Sequence, residues 1–328
     1  MRYGSYIDLC KEGSLPVCPL LETEYGVFAS CTPRALVLGS AYFFEAATLL
    51  VYLLSLGMTA VMIRSTRNKS CAVGKDEMIL FFYLFLSYIF MELLTTVVPM
   101  ASFVYPLVVG LHFALGVTAA WTLMLTGIIG YQQLFPGMLN IDPTGEDIDG
   151  ASAFASLAVH GLSLGVFIGS LVVSLATFAN KAGLDHTAPR ALFTIHFVII
   201  PCMLLAYGIL RVGLLVQQED SRWAVGDLCI AGLFFCLGQL IFFSASSDIC
   251  ASSKHYLDGS FFSQILLLLS VMMIYKSWDS SNNDCFEFEI NAVPLLIFPM
   301  NLPPLKESGA ARPIRGQPSS FASWHQLQ

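Results

Sequence analysis

Seven stretches of this chain are apolar over lengths that suit a membrane-crossing helix, which takes about 18 apolar residues or more. They run from Ala35 to Ile63, Met78 to Val98, Phe103 to Gly130, Ala151 to Phe178, Ala191 to Val216, Ala224 to Ser247 and Tyr256 to Tyr275, each bounded by polar or turn-forming residues. Hydrocarbon offers backbone N–H and C=O groups no partner, so such runs must satisfy their hydrogen bonds internally, as helices. The expected fold is all-α. It is a polytopic membrane protein with a seven-transmembrane-helix bundle over 35–275, an amino-terminal segment over 1–34 and a tail over 276–328. Composition agrees, because 56% of residues are hydrophobic and 12% charged, against about 45–50% and about 25% in soluble domains. Membrane lipid is thus one partner. Nucleic acid is not expected as another, since the net charge is −7 and no block of Lys and Arg supplies an electrostatic footprint.

Lys and Arg in the short loops set orientation. The first loop carries Arg64, Arg67, Lys69 and Lys75, the densest such cluster in the chain, which assigns it to the cytosol. The amino terminus is then lumenal and, after seven spans, the carboxyl terminus cytosolic; Lys276 beside the last span agrees. The opening residues, with Asp8, Lys11 and Glu12, lack the form of a cleavable signal, so the first span is expected to act as the targeting signal. Asn68-Lys69-Ser70 is a formal glycosylation sequon on the cytosolic side of this map. After Glu289 the Pro, Gly and Ser content suits a disordered tail, and the chain ends without a retention tetrapeptide.

A carboxylate inside a span is costly and counts as a functional hypothesis by default. Glu45 and Glu92 qualify, and His112 in the third span falls at a similar depth. Two roles fit them: a polar cluster serving as a proton relay or partner-binding site, or a hydrogen-bonded contact that orients three helices. His112, His160 and His196 lie on three different spans, as a ceramidase-like intramembrane zinc hydrolase would need, but no His-x3-His pair occurs on one helix. A seven-helix receptor is a further class, although Lys254 and Lys276 only flank the last span, where a retinal pigment needs a lysine at its middle. None of these spacings suffices for catalysis. The expectation is a binding protein without a cofactor, with the metal hydrolase and the receptor as alternatives.

In the fourth span Gly161, Gly165 and Gly169 recur every four residues, a stripe along which another helix can approach closely. Either a neighbouring span or a partner's transmembrane helix could use it. Pro201 is a candidate kink in the fifth span. Topology also sorts the nine cysteines: Cys10, Cys18, Cys31 and Cys250 are lumenal, Cys202, Cys229 and Cys236 lie within spans, and Cys71 and Cys285 are cytosolic. Two disulfides are expected in the lumenal set, where three pairings are open.

One long pattern surrounds the last span. It runs from Ser246 through Ile249-Cys250, His255-Tyr256-Leu257-Asp258-Gly259-Ser260-Phe261-Phe262, Met272-Met273-Ile274-Tyr275-Lys276 and Trp278-Asp279 to Phe286-Glu287-Phe288. This pattern resembles the signature of the fungal chitin synthase export chaperones, and Tyr3-Gly4-Ser5-Tyr6, Leu15-Pro16-Val17-Cys18, Arg222-Trp223 and Gly238-Gln239 extend the likeness. The chain departs from that family's pattern at Tyr131 to Gly137 and at Pro99 to Phe103. The resemblance implies a seven-helix protein of the endoplasmic reticulum membrane, a chitin synthase as its client, and a chaperone or cargo-adaptor role in releasing that client for cell-wall chitin synthesis. It also implies that the four lumenal cysteines belong to the family pattern. On this reading Lys254, His255, Tyr256 and Asp258 form an interfacial polar shelf, and Lys276, Trp278 and Asp279 mark the exit of the last helix. Glu287 and Glu289 frame an acidic-x-acidic triplet with two readings: charges that merely solvate the helix exit, or a candidate exit signal of the kind vesicle-coat cargo adaptors read.

Overall fold

The computed structural model describes residues 3–22, 26–31, 36–38, 41–43, 46–69, 72, 74–98, 102–134, 148–181, 183–217 and 222–281. All of them fall in one compact unit, Met1–Glu287. In chain order the elements are α1 Ile7–Glu12, a 3-10 turn Cys18–Leu20, β1 Leu36–Leu38, β2 Ala41–Phe43, α2 Ala46–Arg67, α3 Lys75–Val97, α4 Tyr105–Leu134 and α5 Ile148–Phe178. They continue with α6 Arg190–Thr194, a π turn Ile195–Ile199, α7 Ile200–Gln217, α8 Arg222–Ser244, α9 Ser246–Ser252 and α10 Gly259–Ser280. Among the described residues, seven helices are long and apolar enough to cross a membrane. The chain is therefore a multi-pass membrane protein built as a seven-helix bundle.

Both ends of the spanning region differ from expectation. The first span begins at Ala46 rather than Ala35, because Leu36–Leu38 and Ala41–Phe43 pair as antiparallel strands with Leu38 opposite Ala41. An apolar run of this length reads alike as helix or strand, so hydropathy merges it with the helix that follows. The last helix runs to Ser280 instead of stopping at Tyr275, so Lys276, Trp278 and Asp279 belong to its final turns. The fifth span is continuous from Arg190 to Gln217. Its π turn precedes Pro201, whose ring would clash with the carbonyl four residues back and which has no N–H to donate; a wider turn accommodates both.

Helix contacts run α4 to α7, α7 to α8, α8 to α10, α10 to α2, α2 to α3 and α3 back to α4, a closed ring. Its interior is a core drawn from every member, including Tyr52, Phe82, Leu123, Tyr207, Leu228 and Val271. The outward faces carry Leu50, Leu54, Val61, Leu205, Leu233 and Leu240, all exposed and suited to lipid. Helix α5 stands outside the ring, packed on α4 with a small contact to α6. A second core lies at one end, where Tyr6, Leu9, Cys10, Val17 and Leu21 pack with Tyr105, Val109, Phe113 and Leu192. The amino-terminal segment is thereby docked on the bundle, assisted by Tyr105 Oη donating to Pro16 O at 2.9 Å and Ser247 Oγ donating to Glu12 Oε2 at 2.7 Å.

The tightest pairing, α8 with α10, has a sequence cause that hydropathy does not show. Ser263, Ser270 and Ser277 recur every seven residues on α10, opposite Gly238, Ala231 and Ala224, which recur every seven on the antiparallel α8. Ser270 Oγ donates to Ala231 O at 2.9 Å and Ser277 Oγ to Ala224 O at 2.8 Å. A Cβ on Gly238 would stand 3.3 Å from Ser263 O, so the backbones are already close. Small residues on both sides permit this approach, and each interhelical hydroxyl bond in a membrane adds about 0.6 kcal/mol.

Replacing Ala231 by Leu should force this seam apart, at a cost of about 1–3 kcal/mol for overpacking. A lower unfolding temperature in detergent is expected for Ala231→Leu and none for the control Leu233→Ala, whose side chain is lipid-facing.

Candidate functional site

Helix α5 owes its position to the way its small residues are divided. Ser163, Ser170, Ser174 and Thr177 are buried, and three of their hydroxyls bond within the helix: Ser170 to Val166 O, Ser174 to Leu171 O and Thr177 to Val173 O. Gly161, Gly165 and Gly169 point the other way. All three are exposed, and a Cβ built on any of them would meet nothing within 4 Å. Beside them Leu162, Leu164, Ile168 and Val172 are exposed as well. The stripe therefore serves no contact inside the described chain. Each glycine costs a helix about 0.8–1.0 kcal/mol relative to alanine, and no intramolecular packing offsets that cost here.

Inside the ring, Glu92 of α3 is 8% exposed and receives the Gln264 amide of α10 through Nε2 to Oε1 at 2.6 Å. His112 of α4 faces it, with Nε2 3.7 Å from Glu92 Oε2. Tyr88 stacks on the imidazole at 4.4 Å between ring centroids. The structure thus brings together two of the three residues singled out in the spans, and it adds Gln264, which sequence reasoning missed. Glu45 lies outside the described residues. The arrangement joins α3, α4 and α10 through polar side chains, with one carboxylate oxygen met by the Gln264 amide, as a buried carboxylate requires.

At one end of α10, Asp258 caps the helix: its carboxylate accepts from Phe261 N–H at 3.2 Å and from Ser260 Oγ at 2.7 Å. Burial pushes its carboxyl above the usual range, against the lowering effect of those bonds. Gly259 N–H donates to Ser246 Oγ at 3.1 Å, and a Cβ on Gly259 would lie 2.6 Å from Ser246 Cβ, so only glycine lets α9 abut α10. Tyr256 is 65% exposed beside this junction. Disulfides join Cys10 to Cys18 and Cys31 to Cys250, the second tying the amino-terminal segment to α9. Ligating atoms of Cys31, Cys250 and His255 lie within 4.8 Å of one another. Sulfurs bonded to each other present no thiolate, the form that binds metal, so this grouping is not a metal site while the bond is closed.

At the other end of α10, Lys276 Nζ meets Asp227 of α8 at 2.9 Å. Lys69, just past α2, pairs with Asp279 and lies 5.7 Å from the centroid of the Trp278 ring. Tyr275 Oη bonds Ser65 Oγ at 2.7 Å, and Arg211 Nη2 donates to Ser281 Oγ at 3.1 Å. Lys276, Trp278 and Asp279 thus bind α10 to its neighbours as well as marking its exit. Asp227 and Lys69 were missed as partners because their pairing is set by helix neighbours remote in sequence.

The histidines of the hydrolase alternative do not converge. His112 pairs with Glu92, His196 stacks among Phe113 and Phe197, and His160 is exposed on the outer helix. Cys202, Cys229 and Cys236 are free and exposed on spanning helices. Cys71, Cys285, Glu287 and Glu289 lie outside the described residues, so the exit-signal reading rests on sequence alone.

Exchanging Gln264 for Leu removes the donor to Glu92 Oε1 and should destabilise the protein by about 1–3 kcal/mol, the cost of an orphaned buried polar group. Thermal unfolding in detergent measures it. The double variant Glu92→Leu/Gln264→Leu should recover most of the loss, because no unpartnered carboxylate then remains.

The comparisons with known proteins bear on the whole of this architecture. A family model described as chitin synthase export chaperone matches residues 2–292. A protein of that name from Chaetomium globosum is 32% identical over 298 residues, covering 88% of this chain and 86% of its own length. Others are from Coccidioides immitis, 31% identical over 297 residues with 88% and 86% covered, and Cryptococcus neoformans, 32% identical over 298 residues with 89% and 78% covered. No solved structure matches the chain. With the match running from the docked amino-terminal segment through every spanning helix, the chain belongs to the chitin synthase export chaperone family.

Proposed function

We propose that this protein is a membrane chaperone that binds transmembrane helices of a chitin synthase in the endoplasmic reticulum and releases the synthase for export. The family supplies the client class. The observation that carries the docking site is the open stripe Gly161, Gly165 and Gly169 on a helix that stands outside the ring. Lipid tails are as apolar as leucine, so helices associate in a membrane through close packing, and a glycine stripe offers the closest backbone approach. A client helix laid along α5 would meet no side chains on that stripe. A binding role is preferred to catalysis because Glu92 is engaged with Gln264 and His112 with Tyr88, and His112, His160 and His196 do not form one metal-ligating group among the described residues.

The amino terminus is assigned to the lumen and the carboxyl terminus to the cytosol. Both disulfides lie on the amino-terminal side, as an oxidising lumen favours. Arg64, Arg67 and Lys69 lie at the far end of α2, as the excess of cytosolic Lys and Arg requires.

Changing Gly165 and Gly169 to Leu together should lower neither abundance nor unfolding temperature, since a Cβ at either meets nothing within 4 Å and leucine favours the helix, while the chitin synthase stays in the endoplasmic reticulum and co-purifies less with the variant. Normal delivery of the synthase to the cell surface in that variant would remove α5 from the docking site. The orientation is checked at Asn68: glycosidase treatment should not change the protein's mobility through this site, and a glycan there would invert the map.

A further inference from the structure

Two disulfides at the same end of the molecule have different surroundings. Cys10 and Cys18 are 0% and 2% exposed, sealed among Leu9, Val17 and Tyr105. In the other bond Cys250 is 0% exposed but Cys31 is half-buried, so the Cys31 side is the more open of the two to a thiol from solution. The exposed imidazole of His255 lies against this bond, with Nδ1 3.2 Å from Cys31 Sγ and 3.7 Å from Cys250 Sγ. Local backbone builds that placement. After α9, Lys254 and His255 both take left-handed conformations, with φ of 56° and 68°, and His255 N–H donates to Cys250 O at 2.9 Å. Helix ends of this kind usually recruit glycine. Side-chain-bearing residues held there are strained, and such outliers gather at functional sites.

We propose that Cys31–Cys250 is a thiol–disulfide exchange site, with a thiol reductant as co-reactant and His255 assisting the sulfur that departs. The attacking thiolate forms a bond to Cys31 Sγ, the bond between Cys31 and Cys250 breaks, and its electron pair leaves on Cys250 Sγ. The Nδ1–H of His255 donates to that sulfur; a hydrogen bond given to the charged form stabilises the departing thiolate, and a more stable thiolate leaves faster. A second thiol then attacks the reductant's sulfur in the mixed disulfide, releasing Cys31 as a thiolate and the reductant as a disulfide. Two electrons pass from two thiols to the protein. A Cys-x-x-Cys protein and glutathione both supply this chemistry.

Opening the bond separates the chain entering α2 from the helix that precedes α10, a link between positions 219 apart in sequence. Residues Tyr6 to Leu21 stay docked through their own apolar core and the Glu12–Ser247 bond. The site therefore controls one tether without unfolding the cap. It rests on the lumenal reading only for where the reductant is met.

The test uses full-length protein purified in detergent at one fixed pH, with reduced glutathione in one arm and a reduced Cys-x-x-Cys oxidoreductase of the thioredoxin class in the other. Mass-tagged alkylation with peptide mapping follows each disulfide. Cys31–Cys250 should open at least about ten-fold faster than Cys10–Cys18 with one or both reagents, the faster reagent naming the source. His255→Asn keeps a residue tolerant of the left-handed backbone but removes the imidazole. It should slow opening of Cys31–Cys250 about ten-fold and leave Cys10–Cys18 unchanged, at an unaltered unfolding temperature. Equal rates for the two disulfides with both reagents, or an unchanged rate in His255→Asn, overturns the proposal. Detergent removes the sidedness of the membrane, so a failed orientation map would leave this result standing, and failure here would leave the chaperone reading intact.

Discussion

The small-residue seam between α8 and α10 is the contact on which the rest of the bundle depends. Apolar burial does little to drive helices together in lipid, so close backbone approach and interhelical hydrogen bonds decide which helices pair. Ser263, Ser270 and Ser277 meeting Gly238, Ala231 and Ala224 supply both. With α10 held on α8, its other face reaches α2, and the contacts through α3, α4 and α7 close the ring. Once those six helices share one core, α5 has no place inside it and packs on α4 from outside. The open glycine stripe is a consequence of that closure.

Polar groups are distributed in a manner that fits this frame. Many hydroxyls on spanning helices bond to carbonyls of their own helix, as Thr59 does to Ser55 O and Thr118 to Ala114 O, and others join helices, as Ser270 does across the α8–α10 seam and Ser65 with Tyr275. Glu92 and His112 meet within the ring, and the Lys276–Asp227 and Lys69–Asp279 pairs sit at one of its ends. Helix α10 is held at both ends. Lys276 with Asp227 and Lys69 with Asp279 secure one, and the Asp258 cap, the Ser246–Gly259 junction and the Cys31–Cys250 bond secure the other. Many of the residues that carry the family resemblance are therefore those that frame the last helix. The glycine stripe proposed for client docking lies on a different helix, α5.

Sequence alone determined that the chain crosses a membrane seven times as helices, because length and hydropathy suffice once backbone groups have no solvent partner. It also isolated Glu92, His112 and the glycine stripe, since charge and glycine stand out against an apolar background. Only the tertiary structure decided which helices touch, that α5 lies outside, that Cys10 bonds Cys18 while Cys31 bonds Cys250, and that Gln264 is the partner of Glu92. The physical reason is that core and lipid are both apolar, so a spanning helix carries little amphipathic signal to say which face turns inward. Partners remote in sequence are set by helix order, as with Asp227 and Lys276. The early end of the Ala35 run shows the same limit at short range: paired strands precede the helix there, and hydropathy cannot tell an apolar strand from an apolar helix. The serine heptads of α10 were present in the sequence throughout, but their meaning required the matching small residues of α8 to be placed opposite.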